Sequence, residues 1–429
     1  MRDRFSASRF ECSEYCVAGK QARDAHNPGE TDAFWQGSYQ VNSDAAKNTH
    51  TLNLTPTTDG LVKIHIPANI YRDQAGNQNN EALFQVTLDT TAPTVGGIEV
   101  AGGSGSATAI TGGATAVTNT SPPWTVTFTL SEEVNGFEVT DLDLTNCSVV
   151  TNTFAADPND STKYSVQITP TADGLVKVEV PIGVFADGSG NTSTAANLFQ
   201  VNYDSTAPTV TVTATDQDVN AITNGAAAIT NKSPWNVTFV TSEIPTGFVV
   251  GDLDLTNCTV SDFATVTGND KKFVCEITPT ADGLVVVKVP ANSFTDSAGN
   301  QNTEGLFQVN YDSTSPTVTI KASKQTTNSA LLTMTMSENT TNFSQNDITT
   351  INGVLSKYTA VSATVYTATL TASIHGDYSA QIKANTFTDA AGNGNTKSNK
   401  LILNYPAPVR NYSSEEYRPW YYAHRQEDG

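Results

Sequence analysis

Apolar and polar residues alternate along most of this chain, in short runs that end at Gly, Pro, Asn or Asp. In the clearest run, Trp235, Val237 and Phe239 alternate with Asn236 and Thr238. A period of two places one set of side chains on a buried face of a strand and the other set outside. No window keeps a helical period with capping residues, so the pattern predicts an all-β protein.

The predicted strands belong to a longer internal repeat. Its first landmark is an Asp-Gly pair, at Asp59, Asp173 and Asp282, with a degenerate copy around Gly376. The second landmark, Asp-x-x-Gly-Asn, begins at Asp73, Asp187, Asp296 and Asp389. The period is about 100 residues, which is the size of an immunoglobulin-like sandwich and too long for a solenoid repeat.

The landmarks divide the chain into repeats. We predict a partial repeat at 31–90 and complete repeats at 91–205, 206–313 and 314–406. The segments 1–30 and 407–429 match no repeat and stay unassigned. Proline in each linker cannot donate to a sheet and therefore separates neighbouring units. The predicted fold is thus a series of tandem immunoglobulin-like β-sandwich repeats that form an elongated rod.

The ordered landmarks also carry a family resemblance. In the third repeat they are Ser242-Glu243, Gly247-Phe248, Leu255-Thr-Asn257, Ile277-Thr-Pro279, Asp282-Gly283, Asp296-x-Ala-Gly-Asn300 and Tyr311-Asp-x-Thr-x-Pro316. This succession resembles the bacterial Ig-like repeats of large surface adhesins and other modular exported proteins. The resemblance spans roughly residues 31–406 and implies an extracellular stalk or adhesive role, commonly with Ca²⁺ at the domain junctions.

Composition narrows the classes of partner. The formal net charge of −20 repels nucleic-acid backbones and anionic lipid headgroups, so we expect no nucleic-acid partner. No apolar run is long enough for a membrane span, so direct membrane insertion is not expected. Residues 1–30 lack the apolar core of a secretory signal, so an extracellular location would require export information that this chain does not show.

Acidic residues are expected to meet at the repeat junctions. In a seven-strand sandwich, the B–C and F–G loops share the end at which the preceding linker enters. Three carboxylates and an amide oxygen at one point would repel one another unless a cation neutralised them. Ca²⁺ suits such oxygen ligands better than Mg²⁺. The predicted metal sets are Asp89, Glu132, Asp187 and Asn191; Asp204, Glu243, Asp296 and Asn300; and Asp312, Glu338, Asp389 and Asn393.

A simpler reading of the Asp-x-x-Gly-Asn segment stays open. Asp and Asn often cap their own backbone in a turn, while Gly takes a positive φ. The recurrence of the segment with Ser-Glu and with a linker aspartate favours the metal. Asp59, Asp173 and Asp282 directly precede glycine, so we interpret them as turn formers and leave them outside the metal sets.

Two tryptophans and two cysteines allow alternative readings. Trp124 and Trp235 start equivalent strands after proline, and we expect them to be core residues, with a carbohydrate-binding platform as the alternative. Cys258 and Cys275 flank a predicted hairpin, where a disulfide and a buried thiol are both open.

The five histidines are scattered, and no catalytic motif is present, so the chain is not expected to be an enzyme.

Two functions follow from these observations. The first is an extracellular stalk of calcium-stiffened repeats in a cell-surface adhesin or fibre, whose partners are a cell-surface glycan or protein receptor or neighbouring copies. The alternative is a carbohydrate-binding accessory module of a secreted multidomain protein. A stalk predicts buried tryptophans, whereas a carbohydrate module predicts an exposed aromatic strip.

Overall fold

The fold is all-β, in a computed structural model that describes residues 11–12, 16–17, 40–44, 49–53, 108–194, 196–409 and most of 55–103. Within 55–103, residues 57, 67, 70, 71, 73 and 74 lie outside the described set, as do 1–10, most of 13–39 and everything from 410. The prediction of tandem sandwiches is confirmed, and the described residues contain no α-helix. No helix among them is long and apolar enough to span a membrane. The chain divides into two compact units, Met1–Thr206 and Ala207–Gly429.

Ahead of the first complete sandwich, the described residues of the first unit form six strands. They are β1 (Glu11–Cys12), β2 (Cys16–Val17), β3 (Gln40–Asp44), β4 (Thr49–Asn53), β5 (Gly60–Ile66) and β6 (Ala82–Leu88). These strands pair as three separate antiparallel hairpins, β1 with β2, β3 with β4 and β5 with β6. The last two hairpins belong to the partial repeat.

A complete sandwich fills the rest of the first unit. Its strands are β7 (Val95–Gly102), β8 (Thr108–Ala109), β9 (Val117–Thr118), β10 (Trp124–Leu130), β11 (Val134–Asn135), β12 (Asp143–Thr145), β13 (Cys147–Val149), β14 (Ala155–Asp157), β15 (Asp160–Pro170), β16 (Gly174–Val180), β17 (Ala186–Asp187) and β18 (Asn197–Tyr203). One sheet has the order β13-β15-β10-β7-β8, with β14 also on β15, and the facing sheet has the order β12-β16-β18-β9. The short pair β11-β17 lies at one end.

The first sandwich of the second unit repeats this plan. Its strands are β19 (Val210–Thr215), β20 (Ala221–Ile222), β21 (Ile229–Thr230), β22 (Trp235–Thr241), β23 (Asp254–Thr256), β24 (Cys258–Val266), β25 (Asn269–Pro279), β26 (Gly283–Val289) and β27 (Gly305–Tyr311). The two sheets have the orders β20-β19-β22-β25-β24 and β21-β27-β26-β23.

The last sandwich is smaller. Its strands are β28 (Val318–Lys324), β29 (Ser329–Met336), β30 (Ile348–Ile351), β31 (Gly353–Ala360), β32 (Val365–Ala372), β33 (Gly376–Ile382) and β34 (Leu401–Tyr405). They form the sheets β28-β29-β32-β31 and β30-β33-β34. Single 3-10 turns precede β12, β23 and β30, at Val139–Asp141, Val250–Asp252 and Gln345–Asp347.

Each sandwich encloses its own core because the alternation in sequence matches the pleat of the strands. Along β10, buried and partly exposed residues alternate from Trp124 to Leu130. Trp124 and Trp235 have no exposed surface, and each indole N–H donates to a backbone carbonyl, of Thr120 and Lys232 respectively. The expectation that both tryptophans are core residues is confirmed, and neither offers a face to a sugar.

Three cysteines of the complete sandwiches are free thiols. Cys258 is paired in register with Pro279, and Cys275 lies opposite Val237 on the other edge of β25. Cys147, Cys258 and Cys275 form no disulfide. The alternative of buried thiols, which the sequence left open, is therefore the one that the fold adopts.

Candidate metal centres at the repeat junctions

Strand pairing brings a glutamate and an aspartate together at one end of each sandwich. In the first complete sandwich, Glu132 follows β10, and the next strand, β11, pairs Val134 with Asp187 of β17. Asp89 enters from the other side, directly after Leu88 at the end of β6. Three carboxylates from distant parts of the sequence therefore converge where the partial repeat meets the first complete one.

The geometry of these carboxylates is compact. One oxygen from each of Asp89, Glu132 and Asp187 lies within 4.8 Å of the other two. The same arrangement recurs inside the second unit, where the contributing residues are Asp312, Glu338 and Asp389. We call these two groups the carboxylate triads. In both of them the loop aspartate is buried, and the other two residues are partly exposed.

The loop aspartate also organises its own turn. The Oδ1 atom of Asp187 accepts hydrogen bonds from the backbone N–H groups of Ser189 and Asn191, at 2.8 and 2.9 Å. Asp389 accepts from Gly392 and Asn393 in the same way, at 2.8 and 2.9 Å. The turn reading of Asp-x-x-Gly-Asn is thus correct in itself, and it leaves the aspartate inside a group of carboxylates.

The asparagine beside each triad makes contacts that the sequence did not predict. The Nδ2 atom of Asn191 donates to Oδ2 of Asp187, at 2.7 Å, and to the backbone oxygen of Asp89, at 3.0 Å. Asn393 makes the same two contacts with Asp389 and Asp312. Both partners are acceptors, so the amide nitrogen faces them and the asparagine clamps the linker to the loop. The role of its amide oxygen as a metal ligand stays a prediction.

The triads shift the acidity of their members. Burial, and then the Asp89 and Asp187 carboxylates, raise the pKa of Glu132 above its ordinary value. Burial, followed by the charges of Asp312, Asp389 and Asp282, raises the pKa of Glu338. The hydrogen bond from the Asn191 side chain, with backbone donors, lowers the pKa of Asp187. Asp187 therefore stays ionised, and the charges within the triad act mainly on the pKa of the glutamate.

The middle predicted set is divided between the two units. Asp204 lies at the end of the first unit, where its Oδ1 accepts from the N–H of Thr206 at 3.0 Å. In the second unit, Asp296 accepts from the N–H groups of Ala298, Gly299 and Asn300. Asn300 Nδ2 donates to Oδ2 of Asp296 at 2.9 Å, as in the other loops. A shared site of Asp204 with Glu243 and Asp296 stays a prediction that rests on the repeat in sequence.

The Asp-Gly aspartates have a role that the sequence analysis missed. Asp173 accepts from the backbone and hydroxyl of Ser205 and from the hydroxyl of Thr206. Asp59 binds Thr90 and Thr91, and Asp282 binds Ser313 and Thr314, in the same manner. These hydrogen bonds lower the pKa of all three carboxyls. The signal was present in the sequence, because each linker has Ser or Thr at two positions after its aspartate.

One further loop provides an internal comparison. Asp216 and Asn220 form the same turn, in which Asp216 N–H donates to Asn220 O at 2.9 Å and Asn220 Nδ2 donates to both carboxylate oxygens. Hydrogen bonds from Asn220 are the main cause that lowers the pKa of Asp216, and the ammonium group of Lys232 lowers it further. The turn therefore does not require a triad, and a triad is an additional feature of the junction loops.

The triads have the ligand type and the proximity that a divalent cation requires. Their carboxylate oxygens lie within 4.8 Å of one another, so a single ion could contact all three. Ca²⁺ binds such oxygens in irregular geometry, whereas Mg²⁺ requires a regular octahedron. The acidic groups can therefore hold a metal ion.

Comparison with known proteins identifies the repeated unit. A family model described as the bacterial Ig-like domain matches three consecutive segments, residues 89–203, 204–311 and 312–405. The matched segments cover well over half of the chain. The matching family describes an Ig-like module rather than a catalytic domain. No curated protein sequence matches the chain.

Several solved structures match the chain at low sequence identity and low structural overlap. Invasin, a bacterial integrin-binding protein, is 14% identical over 72% of this chain and 59% of its own, with a TM-score of 0.29. The surface layer protein SbsC, domains 1–6, is 13% identical over 76% and 56%, with a TM-score of 0.18. A Bacteroides ovatus SGBP-B from a mixed-linkage glucan utilization locus is 13% identical over 74% and 71%, with a TM-score of 0.15. The chain spans less than two thirds of the first two proteins.

Proposed function

The chain belongs to the bacterial Ig-like domain family, and we propose that it is an extracellular stalk whose repeat junctions are stiffened by Ca²⁺. The stalk would serve a cell-surface adhesin or a fibre, and its partners would be a protein or glycan receptor or neighbouring copies. The observation that carries the proposal is the carboxylate triad, formed where a linker meets the loops of the next repeat. Such a site takes ligands from both sides of a junction.

Electrostatics explains why a cation would matter at these points. Burial raises the pKa of Glu132 and of Glu338, and the charges of the neighbouring carboxylates raise it further, so part of the shift reflects repulsion among the carboxylates. A divalent cation would convert this repulsion into attraction and would bind only while the linker stays in place. Binding to the assembled junction therefore stabilises it by mass action.

The linkers have contacts of their own. If the carboxylates were the only contacts at a junction, its linker would be free to bend without a metal ion. The Asp-Gly carboxylates and the asparagine clamp already hold the linker residues by hydrogen bonds that need no ion. Ca²⁺ would therefore reinforce an ordered junction, and its main effect would be on stability rather than on the formation of the linker.

The structure does not support the sequence feature on which the carbohydrate alternative depended. It required exposed aromatic rings that recur on a sandwich face, and the two recurring tryptophans are fully buried. Their edges contact other core rings, as Trp124 does with Tyr203 and Trp235 with Tyr311. A stalk needs no such platform, so we retain the stalk as the proposed function.

Calorimetric titration of the intact chain with Ca²⁺ tests the metal directly. We expect binding, a melting temperature that rises with Ca²⁺ concentration, and loss of part of that rise in Glu132→Gln and in Glu338→Gln. Asp216→Ala is the matched control, because Asp216 forms the same turn as Asp187 and belongs to none of the candidate metal-binding groups among the described residues. No binding at millimolar Ca²⁺ would contradict the calcium proposal.

Small-angle scattering tests the stalk separately from the metal. We expect an extended particle whose maximum dimension changes little on Ca²⁺ addition, because hydrogen bonds already order the linkers. A compact particle in both conditions would overturn the stalk, whatever the calorimetry shows. Mg²⁺ at the same concentration serves as the ionic control.

A further inference from the structure

The last sandwich lacks a cover that the other two complete sandwiches possess. Each of those two contains a pair of extra short strands, β8 and β9 in one and β20 and β21 in the other. One strand of each pair lies on the outer edge of the first long strand, and the other lies parallel to the last strand of the facing sheet. In the last sandwich only residues 325–328 separate β28 from β29. No described strand therefore pairs with the outer edges of β28 and β34.

The outer edge of β34 presents backbone groups that the other repeats use for pairing. Strand register places Asn404 at the position of Asn310 in the third repeat. The backbone N–H of Asn310 donates to the carbonyl oxygen of Ala228, beside β21, at 2.9 Å. By the same register, the N–H groups of Ile402 and Asn404 point away from β33. An edge of this kind can take up a further strand.

The side chains of this edge differ from those of the third repeat in a related way. The Nδ2 atom of Asn310 donates to the carbonyl oxygen of Ala226, in the covering segment, at 2.6 Å. The Nδ2 atom of Asn404 donates instead to Asp377 of its own sheet, at 2.8 Å. Ile402 is 57% exposed, at a position where the other two complete repeats have a partly buried glutamine. Where the cover is absent, the amide turns inward and an apolar side chain is left in water.

The outer edge of β28 is open for the same reason. Ala322 on β28 is exposed, whereas its counterpart on β19, Ala214, is 3% exposed and pairs with β20. The side-chain amide of Asn399 covers one residue of this edge. It accepts from the N–H of Ile320 at 2.7 Å and donates to the carbonyl oxygen of Ile320 at 2.9 Å. We call these two hydrogen bonds the amide bridge, which joins β28 to the residues that directly precede β34.

The last repeat also differs in charge. Residues 314–406 contain six lysines and four acidic residues, whereas residues 91–205 contain two lysines and twelve acidic residues. The last repeat is therefore net positive and the first complete repeat strongly negative, within a chain of net charge −20. Surfaces of opposite charge attract one another and favour encounter between copies.

Four of the lysines surround the open edges. They are Lys321, Lys383, Lys397 and Lys400. Lys321 and Lys400 directly follow the two residues of the amide bridge, and the other two lysines flank the 3.0 Å hydrogen bond from the N–H of Ser398 to the carbonyl oxygen of Ile382. All four are exposed, and none of them belongs to a salt bridge within the described part of the chain. We call the outer edge of β34 together with these four lysines the lysine edge.

An edge strand of the first complete repeat has the complementary charge. Strand β12 lies at the edge of its sheet, and its register places Asp143 directly opposite Glu179 of β16. Like charges directly opposite one another destabilise a sheet. In the third repeat the position of Glu179 is occupied by Lys288, whose ammonium group lies 3.9 Å from Asp254. Strand β12 therefore carries a pair of carboxylates that a basic partner would stabilise.

We propose that β34 of one copy pairs edge to edge with β12 of a second copy, so that the lysine edge meets Asp143 and Glu179. Strand β12 has three residues, which is close to the two residues of β9 and of β21 on the equivalent edge. The contact joins different surfaces of the two copies, so it can continue from copy to copy. The inference rests on the proposed function for the choice of a neighbouring copy as partner, but it uses no residue of a carboxylate triad.

Sedimentation velocity of the full chain in EDTA tests this pairing separately from Ca²⁺. We expect association that increases with protein concentration and weakens as salt is added. The double variant Lys321→Glu/Lys400→Glu reverses two charges of the lysine edge and should weaken association roughly tenfold or more. Addition of Asp143→Lys to the same chain should restore association, because opposite charges then meet again.

A second variant tests strand pairing itself. Ile402→Pro removes an N–H that points away from β33, so the ladder between β33 and β34 should remain while an incoming strand loses a donor. We expect this variant to associate roughly tenfold or more weakly than the wild type at low salt. Circular dichroism checks that it keeps its β content.

Two controls separate these edges from general effects of charge. Lys357→Glu reverses a charge on β31, at the far edge of the sheet that begins with β28, and should associate as the wild type does. Asp254→Lys, on the equivalent edge strand of the third repeat, should not restore association when it is added to the double lysine variant.

Several outcomes would overturn the inference. A wild-type chain that stays monomeric at every concentration in low salt is one, and a monomeric chain that binds alginate through the same lysines would assign the lysine edge to an anionic polysaccharide instead. Normal association of Ile402→Pro would exclude strand pairing, and equal restoration by Asp254→Lys would exclude β12 as the specific partner. Because every measurement is made in EDTA, none of these outcomes bears on Ca²⁺ binding at the junctions.

Discussion

The side-chain amide of Asn191 donates a 3.0 Å hydrogen bond to the backbone oxygen of Asp89, the first residue of the linker that enters its sandwich. Asn393 makes the same bond to Asp312 at 2.8 Å. Each asparagine also donates to the buried loop aspartate beside it. The junctions are therefore fixed by a neutral donor that tolerates the nearby carboxylates, and a metal is not needed to position the linker.

Removal of this clamp should weaken a junction. Asn393→Ala deletes the bonds to Asp312 and Asp389, and the second partner is a charged acceptor, so a loss of about 1–3 kcal/mol in junction stability is expected. Hydrogen exchange of the linker amides in the intact chain measures the loss locally. The exposed Asn346→Ala is the control and should leave the linker protection unchanged. Equal protection in both variants would contradict the clamp.

Neutralising the triad glutamate should have opposite effects with and without metal. The raised folded pKa of Glu132 means that its stabilising contribution is present at acid pH and is lost as pH rises through that pKa. Glu132→Gln mimics the protonated form, so its melting temperature in EDTA should exceed that of the wild type at neutral pH. The difference should vanish in acid, below about pH 4.

Calcium should reverse the order of the melting temperatures of the wild type and Glu132→Gln. With saturating Ca²⁺ the wild type gains binding free energy at this junction and the variant does not. Differential scanning calorimetry in EDTA and in Ca²⁺ measures the sign of the difference in melting temperature between the two proteins in each condition. A variant that is less stable than the wild type in both conditions would argue against repulsion within the triad.

The Asp-Gly clamp should make the linker sensitive to acid. Hydrogen bonds from Thr314 and Ser313 lower the pKa of Asp282, so its contribution is present above its unfolded value near 3.8 and is lost as pH falls through the folded pKa. Asp282→Ala should expose the Ser313 amide, which donates to this carboxylate, to exchange at neutral pH and remove part of the acid dependence. Asp270→Ala, at another exposed aspartate of the same unit, should do neither.

The thiols of the sandwiches should be slow to react. Burial raises the pKa of Cys147 and Cys258 to about 11, and burial followed by Cys258 raises the pKa of Cys275 to about 12. Thiolates are the reactive form, so iodoacetamide at neutral pH should label these three residues only after unfolding. Mass spectrometry of digests assigns each site. An unchanged melting temperature on reduction would agree with the absence of a disulfide among them.

The buried tryptophans should be costly to remove. Trp235 is fully buried and contacts Phe307 and Tyr311, so Trp235→Ala should lower the free energy of unfolding of its repeat by about 3–5 kcal/mol. Calorimetry should show one destabilised transition while the other repeats melt as before. Addition of soluble glucans should leave the tryptophan fluorescence of the wild type unchanged, because buried rings cannot stack on sugars. A clear spectral shift would restore the carbohydrate alternative.

Much of the fold followed from local pattern. The alternation around Trp235 and Phe239 predicts a strand with one buried face, and the structure buries those rings. The recurrence of Asp187 and Asp389 in equivalent loops, together with sandwich topology, predicts that Glu132 and Glu338 lie beside them. These features can be predicted from the sequence because strand periodicity and loop order depend on residues that are close in sequence or related by the repeat.

Other features required the tertiary structure. The orientation of Asn191, and the bonds of Asp173 to the linker hydroxyls, depend on which donors and acceptors the folded chain brings within about 3 Å. Cys258 and Cys275 looked able to pair across a hairpin, but the register places Pro279 opposite Cys258. Register depends on bulges such as the shift between Ser261 and Ala264, which alternation alone does not reveal.

Strand β6 shows the same division. The sequence by itself determined that Phe84 and Val86 lie on one side of an alternating strand. Only the tertiary structure decided that these side chains face solvent while Phe199 and Phe307 are enclosed. The physical reason is that alternation fixes which side of a strand is apolar, whereas burial depends on whether a second sheet is present to cover it.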